Sequence, residues 1–410
     1  HATYNPMDYY EEALSREPGD VRCNNAMGLL WMRKGEFAKA EAHFRTAIKT
    51  LTQRNPNPYD GEPYFNLGWS CRMQGKIDEA YDAFYKAAWN AAWQDASYFE
   101  IARIETIRGE YEKALESVEK SLTRNWHHHK ARQLKCSLLR KMKYNEKAVA
   151  FADASLEIDS FNMGCRYERY LASGENSDLE KLKELMRDWS HGYIEYALDF
   201  VAGGLYEEAA GLLGLYLQDV EKVYPIIYYL LGYICMKQSN PSLAQEYFVK
   251  AEKCDSAYCF PNRIEEVLIL QEAVRQNPSD AKSFYYLGNF WYASRRYENA
   301  VSCWEQSATI DPEFPTVWRN LSLAYYNKCN NREKAVAALE KAFALDNTDA
   351  RILMELDQLY KKLGRSYAER LTFLEKHVAL VESRDDLALE RITLYNQLGR
   401  YSEAKALLAA

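Results

Sequence analysis

Apolar residues along this chain fall at helical spacing, with polar residues filling the intervals. The clearest stretch runs through Phe284, Leu287, Gly288 and Trp291, at i, i+3, i+4 and i+7, which is one stripe along a helix. A second stripe follows at once through Tyr297, Ala300 and Trp304, the last expected to fill the groove between repeats. Asp311-Pro312 then closes the unit, because proline cannot extend a helix and pushes its predecessor out of the α region. The pattern predicts two antiparallel helices joined by a tight turn. Aligning the whole chain on the small residue of the second helix gives Ala40, Ala80, Ala114, Ala148, Ala209, Ala244, Ala300, Ala335 and Ala404. The regular intervals are 34 or 35 residues, and most of these alanines follow a Gly, Ala, Cys or Ser twelve positions earlier. Such a period predicts a solenoid of stacked helix pairs, whose repeats touch mainly their neighbours and build one long surface instead of a pocket.

Three departures divide the array. Between Ala40 and Ala80 the interval is 40, and the extra residues fall in a Pro/Asn-rich loop over 50–61. After Ala148 no alanine holds the register until Ala209. Within that gap Ser177 and Glu180 read as a capping box opening a short helix from Asp178 to about Arg187, which predicts a truncated repeat and a bend near 160–190. Residues 254–263 replace a first helix, and Arg263 to Gln276 continue as a lone second helix ending at Asn277-Pro278. The expected organisation is one solenoid over 1–410. Its repeat blocks cover 1–160, 191–253 and 279–410, and its two seams cover 161–190 and 254–278.

The same grammar recurs in Gly28, Trp31, Gly35, Ala40, Phe44 and Ala47. It returns in Tyr64, Leu67, Gly68, Gly75, Ala80, Phe84 and Ala87, and again in Tyr228, Leu231, Gly232, Ala244, Phe248 and Ala251. These residues resemble the tetratricopeptide repeat, whose first helix reads W-x2-L-G-x2-Y and whose second carries Ala, Phe and Pro. The resemblance covers nearly all the chain. It implies an all-α, right-handed superhelical solenoid of antiparallel helix pairs, with first helices lining a concave groove. It also implies a protein-interaction scaffold that binds a peptide or protein segment there. By that resemblance, four offsets around the small first-helix residue face the groove. They give Phe65, Asn66, Trp69 and Arg72, then Tyr229 and Tyr233, then Tyr285, Asn289 and Tyr292, then Arg319, Asn320 and Tyr326. Rigid aromatics mixed with Asn and Arg are what binding hot spots are made of.

Some tetratricopeptide arrays clamp a C-terminal carboxylate with Lys, Asn and Arg on successive repeats. Asn289, Asn320 and Arg351 match that pattern, but Tyr285 replaces a lysine and Glu355 a basic residue, so a terminal carboxylate is expected to be repelled. A shorter resemblance, through Cys259 to Arg263, Asn277 to Ala281 and Tyr285 to Gly288, points to the repeat arms of large bacterial proteins. It supports an alternative: a recognition arm of a larger enzyme or carbohydrate-handling protein whose catalytic domain precedes residue 1.

Composition narrows the choices. The net charge of −7 argues against a generic binder of phosphate backbones, so the expected partner is a protein or peptide and not a nucleic acid. The longest apolar run, Pro225 to Met236, suits a buried helix and is too short to span a bilayer. No membrane insertion is expected, and the chain reads as soluble, cytoplasmic or periplasmic. It opens on what looks like the second half of a repeat and closes within a helix pair, so a longer protein is expected. The nine cysteines include no CxxC pair. Cys71, Cys136, Cys235 and Cys303 fall in predicted helices as small apolar residues, whereas Cys254 and Cys259 sit in an irregular stretch where a bond between them is open. The run Trp126-His127-His128-His129 lacks Cys or acidic partners at ligand spacing and reads as a solvated turn, not a metal site. Glu265 and Glu266 are adjacent on a helix and point apart. With no GxSxG, P-loop, GxGxxG or HExxH motif, no catalysis and no cofactor are expected.

Overall fold

The computed structural model describes residues 5–57 and 59–409, which hold 25 α-helices and no strand. A single helix, α1 (Pro6–Arg16), precedes seven pairs. These are α2 (Val21–Arg33) with α3 (Phe37–Leu51), α4 (Glu62–Met73) with α5 (Ile77–Ala87), and α6 (Gln94–Ile107) with α7 (Tyr111–Arg124). Next come α8 (His129–Lys141) with α9 (Asn145–Ile158), α10 (Met163–Ser173) with α11 (Asn176–Met186), and α12 (Ser190–Ala202) with α13 (Tyr206–Asp219). The seventh is α14 (Pro225–Lys237) with α15 (Pro241–Lys253), and α16 (Ile264–Gln276) then stands without a first helix. Pairing resumes in α17 (Ala281–Ala293) with α18 (Tyr297–Ile310), and α19 (Pro315–Asn327) with α20 (Arg332–Leu345). The chain finishes with α21 (Ala350–Lys362) and α22 (Tyr367–Glu375), the short α23 (Val378–Glu382), and α24 (Asp385–Gln397) with α25 (Tyr401–Ala409). Two compact units result. The N-terminal unit runs to Ala257 and adds Arg263–Ile269, and the C-terminal unit takes Tyr258–Asn262 and the chain from Leu270 onward.

Each pair is closed by the contact that the alanine register predicts. All nine aligned alanines are at most 2% exposed. Opposite them the small first-helix residue seats an aromatic ring of the second helix. A Cβ at Gly68 would stand 2.6 Å from the Phe84 ring, and one at Gly288 only 2.3 Å from Trp304 Nε1, so neither position tolerates a side chain. Burying each ring contributes about 1.5–3 kcal/mol. Trp304 therefore fills a hollow inside its own repeat and not the groove between repeats. Its indole N–H donates to the Tyr285 carbonyl and to Asn289 Oδ1, both at 3.2 Å. The turn between paired helices needs a left-handed residue, which Gly75 supplies without strain at φ 75°.

The repeat without an alanine is a helix pair of two 11-residue helices, α10 and α11. The expected capping box does not form. The helix begins at Asn176, and its N-cap residue Glu175 makes no side-chain bond. Early in α11 the buried Asp178 accepts hydrogen bonds from Arg169 and, at 3.2 Å, from Ser173 Oγ. No disulfide joins the described cysteines, and Cys254 Sγ instead donates to the Lys250 carbonyl at 3.3 Å.

Candidate functional site

In the N-terminal unit the first-helix face is covered by the chain itself. Arg72, on α4, pairs with Glu100 on α6 and donates to the carbonyl of Ala202 at the end of α12. Arg103 bridges Glu100 at 3.0 Å and Asp199 of α12 at 2.9 Å. Lys130 of α8 reaches the same Asp199 at 2.8 Å and Glu195 at 3.7 Å. Arg263 adds a bond of 2.9 Å to Glu195. One turn along, Arg140 holds Glu168 at 2.6 Å and Glu208 of α13 at 2.7 Å, and Lys141 joins Glu208 at 2.6 Å. Burial works against Arg140, but these two carboxylates hold its guanidinium above its ordinary pKa. Burial also disfavours charge on Glu208, yet Lys141 and Arg140 keep it below the usual carboxylate range. For Glu168 burial prevails and raises the pKa.

The residues expected to face a groove here are engaged accordingly. Asn66 is buried and donates to Asn25 Oδ1 at 2.9 Å. Phe65 stacks on Trp93 at 4.9 Å, and Trp69 meets Phe84 edge-on at 6.5 Å with Arg72 above its ring. Tyr229 is fully buried and so is not a groove residue, because its offset turns it into the core beside Phe248. Tyr233 is half-buried under Lys237.

The C-terminal unit arranges its first helices differently. Tyr285 is again buried, its ring 4.9 Å from Phe314, which removes it from the exposed face. Asn289 Oδ1 accepts from Asn320 Nδ2 at 3.2 Å, so the two asparagines expected on the face do meet. Tyr292 leans on Trp304 and Tyr297, and Tyr326 lies near Lys362. Glu355 accepts two bonds from Arg319, one of them 2.6 Å from Nε, and a third from Arg351 Nε at 3.3 Å. The bond to Glu355 is the main reason that Arg319 rises above its ordinary pKa. Glu355 thus neutralises one arginine and leaves the other in surplus, with the Arg351 side chain 62% exposed. The repulsion expected of Glu355 toward a carboxylate is offset by this pairing.

Two other clusters have simpler readings. Glu41, Cys71 and Glu79 bring ligand atoms within 4.8 Å of one another. However, Glu41 already accepts from Lys76 at 2.7 Å, Gln74 at 2.7 Å and Arg45 at 2.8 Å. Burial opposes its charge, but these donors lower its pKa to about 2. In the histidine run, Trp126, His127 and His129 are exposed, as expected of a solvated turn, but His128 is partly buried. It packs edge-on against Phe99 at 4.5 Å with Nδ1 3.2 Å from Ser121 Oγ, and burial lowers its pKa.

The sequence reading missed the inner charges Glu100, Arg103, Asp199, Arg140, Glu168 and Glu208. Their signal was available in α6, where Glu100, Arg103 and Glu105 interrupt an otherwise apolar first helix, all three buried. No helix among the described residues is long and apolar enough to cross a membrane.

Antiparallel pairs, the recurring alanine and the ring seated on a small residue define the class: an all-α repeat protein whose helix pairs form an interaction scaffold. Family models of the tetratricopeptide repeat match residues 226–258, 269–315 and 316–349. The chain carries tetratricopeptide repeats over those segments. Similar solved structures include a tetratricopeptide repeat protein from Parabacteroides merdae, 17% identical over 77% of this chain and 98% of that one, with a TM-score of 0.33. Another is YrrB, described as a TPR protein with an unusual peptide-binding site, 21% identical over 59% of this chain and 98% of that one, at a TM-score of 0.22. A third is PilF of Pseudomonas aeruginosa, 19% identical over 53% and 87%, with a TM-score of 0.31.

Proposed function

We propose that the C-terminal unit holds a protein or peptide segment along its first-helix face, built by α17, α19 and α21. One observation carries the choice of unit: the equivalent face of the N-terminal unit is engaged by α12 of the same chain, through Arg72, Arg103 and Lys130. In the C-terminal unit the first-helix contacts of Arg319, Asn320 and Arg351 stay within a repeat or join adjacent ones, and Arg351 extends into solvent with half-buried Tyr326 on the neighbouring first helix. Arg351 shares Glu355 with Arg319, so the trio carries one net positive charge and favours a segment with an acidic side chain there.

Peptides selected from a displayed library on the intact chain test this. The variant Arg351→Glu with Tyr326→Ala is expected to bind the selected peptides at least tenfold more weakly, at unchanged helicity. Unchanged affinity in that variant overturns the assignment. Arg72→Ala in the other unit is expected to lower stability and leave peptide affinity alone.

A further inference from the structure

One buried cation in the N-terminal unit has no carboxylate beside it. Arg132, on α8, is fully buried. Its Nε donates to Ser155 Oγ at 2.9 Å and its Nη1 to the Trp126 carbonyl at 3.2 Å. The rings of Trp126 and Phe151 lie 4.4 and 4.6 Å from the guanidinium. Its Nη2 has no hydrogen-bond partner among the described residues. Buried Arg103 and Arg370, by contrast, each hold acidic groups. A buried charge without a counter-charge is expensive to keep and calls for an anion. The titratable groups that act on Arg132 are two thiols, Cys165 and Cys136. Cys136 follows Arg132 by one turn on the same face of α8, and Cys165 projects from α10. Both are fully buried, with their sulfurs 4.0 Å apart, in a small core with Ala152 and Phe151.

We propose that Cys136 and Cys165 are the two ligands of a monovalent soft cation, Cu(I) or Ag(I), with Arg132 balancing the charge of the complex. Loading releases one proton from each thiol to solvent. Two thiolates and one monovalent ion sum to a single negative charge, which Arg132 cancels. A divalent ion would make the complex neutral and leave Arg132 without an anion. Two thiolate ligands favour a soft ion, and the Glu168 carboxylate that also acts on Cys136 is already held by Arg140 at 2.6 Å. An ion midway between the sulfurs would lie about 2 Å from each, half of 4.0 Å, and a small parting of α8 and α10 gives the roughly 2.3 Å of a metal–thiolate bond. A disulfide between the same sulfurs would be neutral and would leave Arg132 as it stands.

The test is anaerobic titration of the intact chain with Cu(I) against bicinchoninate, with X-ray absorption on the loaded protein. One tightly held ion per chain and a shell of two sulfurs are expected. Cys136→Ala with Cys165→Ala is expected to lose that ion, and Arg132→Met to weaken Cu(I) more than tenfold without altering Zn(II) uptake. Equal Cu(I) retention by the double alanine variant overturns the site. So does tighter binding of Zn(II) than of Cu(I), or a Cys136–Cys165 disulfide in the purified protein that takes up no ion. Should the alanine variants lose helicity, the sulfur count in the wild-type spectrum decides alone.

Discussion

The two units use the same helix pair but connect it over different distances. In the N-terminal unit, polar contacts tie residues 130 positions apart (Arg72 to Ala202), 96 apart (Arg103 to Asp199) and 68 apart (Arg140 to Glu208). In the C-terminal unit the first-helix contacts span 36 positions (Arg319 to Glu355) or 31 (Asn320 to Asn289). The second pattern is that of an ordinary repeat array, in which stability sums over neighbours. The first closes the array on itself, so that early helices depend on later ones. One unit thereby couples distant repeats across its first-helix face, and the other joins only neighbouring ones through Arg319 and Asn320.

The largest effect that would break this contrast comes from Asp199→Ala. Asp199 is the shared counter-ion of Arg103 and Lys130, and both Asp199 and Arg103 are nearly buried. Removing it leaves a buried arginine short of an anion, which costs about 3–5 kcal/mol. Hydrogen exchange should quicken across α6, α8 and α12 together, with α19 and α21 unchanged. Arg319→Ala in the other unit, where the pair is partly exposed, should cost about 1 kcal/mol and quicken exchange only in α19 and α21. Equal, local responses to both substitutions would mean that the N-terminal unit is not closed.

Second in size are two substitutions of one kind, Gly68→Ala and Gly288→Ala. Each forces a methyl group into an aromatic ring seated on the helix, with an overpacking cost of about 1–3 kcal/mol. The Phe84 ring can shift within its cluster, but Trp304 is also held by two indole hydrogen bonds. Gly288→Ala should therefore be the more damaging, read as the larger drop in thermal midpoint. The reverse order would show that the hydrogen bonds do not fix the indole.

The pair geometry was legible in the sequence because its signal is local. Alanine, glycine and aromatic residues lie within one repeat, and spacing alone brings Gly288 to Trp304. The face residues were legible only in part. Asn289 and Asn320 are one repeat apart and meet, but Tyr229 and Tyr285 occupy offsets that a small helix rotation turns into the core. The inner ion network was not legible, because Arg103 and Asp199 come together only after several repeats have set the curvature. Asp178 shows the same limit: it read as the first residue of a capped short helix, whereas the structure buries it against Arg169 of the preceding helix.

A pH titration separates the units by a third, smaller effect. Glu41 has its pKa lowered to about 2 by Lys76, Arg45 and Gln74, against an ordinary value of 4.5. A depressed carboxylate stabilises above its unfolded pKa, so its contribution is full above about pH 4.5 and fades as pH falls toward 2. Thermal midpoints of the N-terminal unit should decline through that window. Glu41→Gln should start lower at pH 7 and decline less steeply. An identical slope in the variant would assign the acid sensitivity to the inner network instead.

The smallest effect is a gain. Lys143 and Arg295 occupy the left-handed turn position, at φ 66° and 60°, where several other repeats use glycine (Gly35, Gly75 and Gly109) and two use Ser239 and Asn330. Side chains are strained there by about 1–2 kcal/mol. Glycine relieves that strain but loses more chain entropy on folding, so Lys143→Gly and Arg295→Gly should each stabilise by roughly 0.5–1 kcal/mol. The two turns are locally alike, each amide donating to the carbonyl three residues back. Any difference in how the gain spreads must then come from the unit around them. In the closed unit, Lys143→Gly should slow exchange in α6 and α12 as well as in α8 and α9, because all of them open together. In the open unit, Arg295→Gly should slow exchange in α17, α18 and their immediate neighbours, and fade by α24. A gain at Lys143 confined to its own turn would place the boundary of cooperativity at the single repeat, in both halves of the molecule.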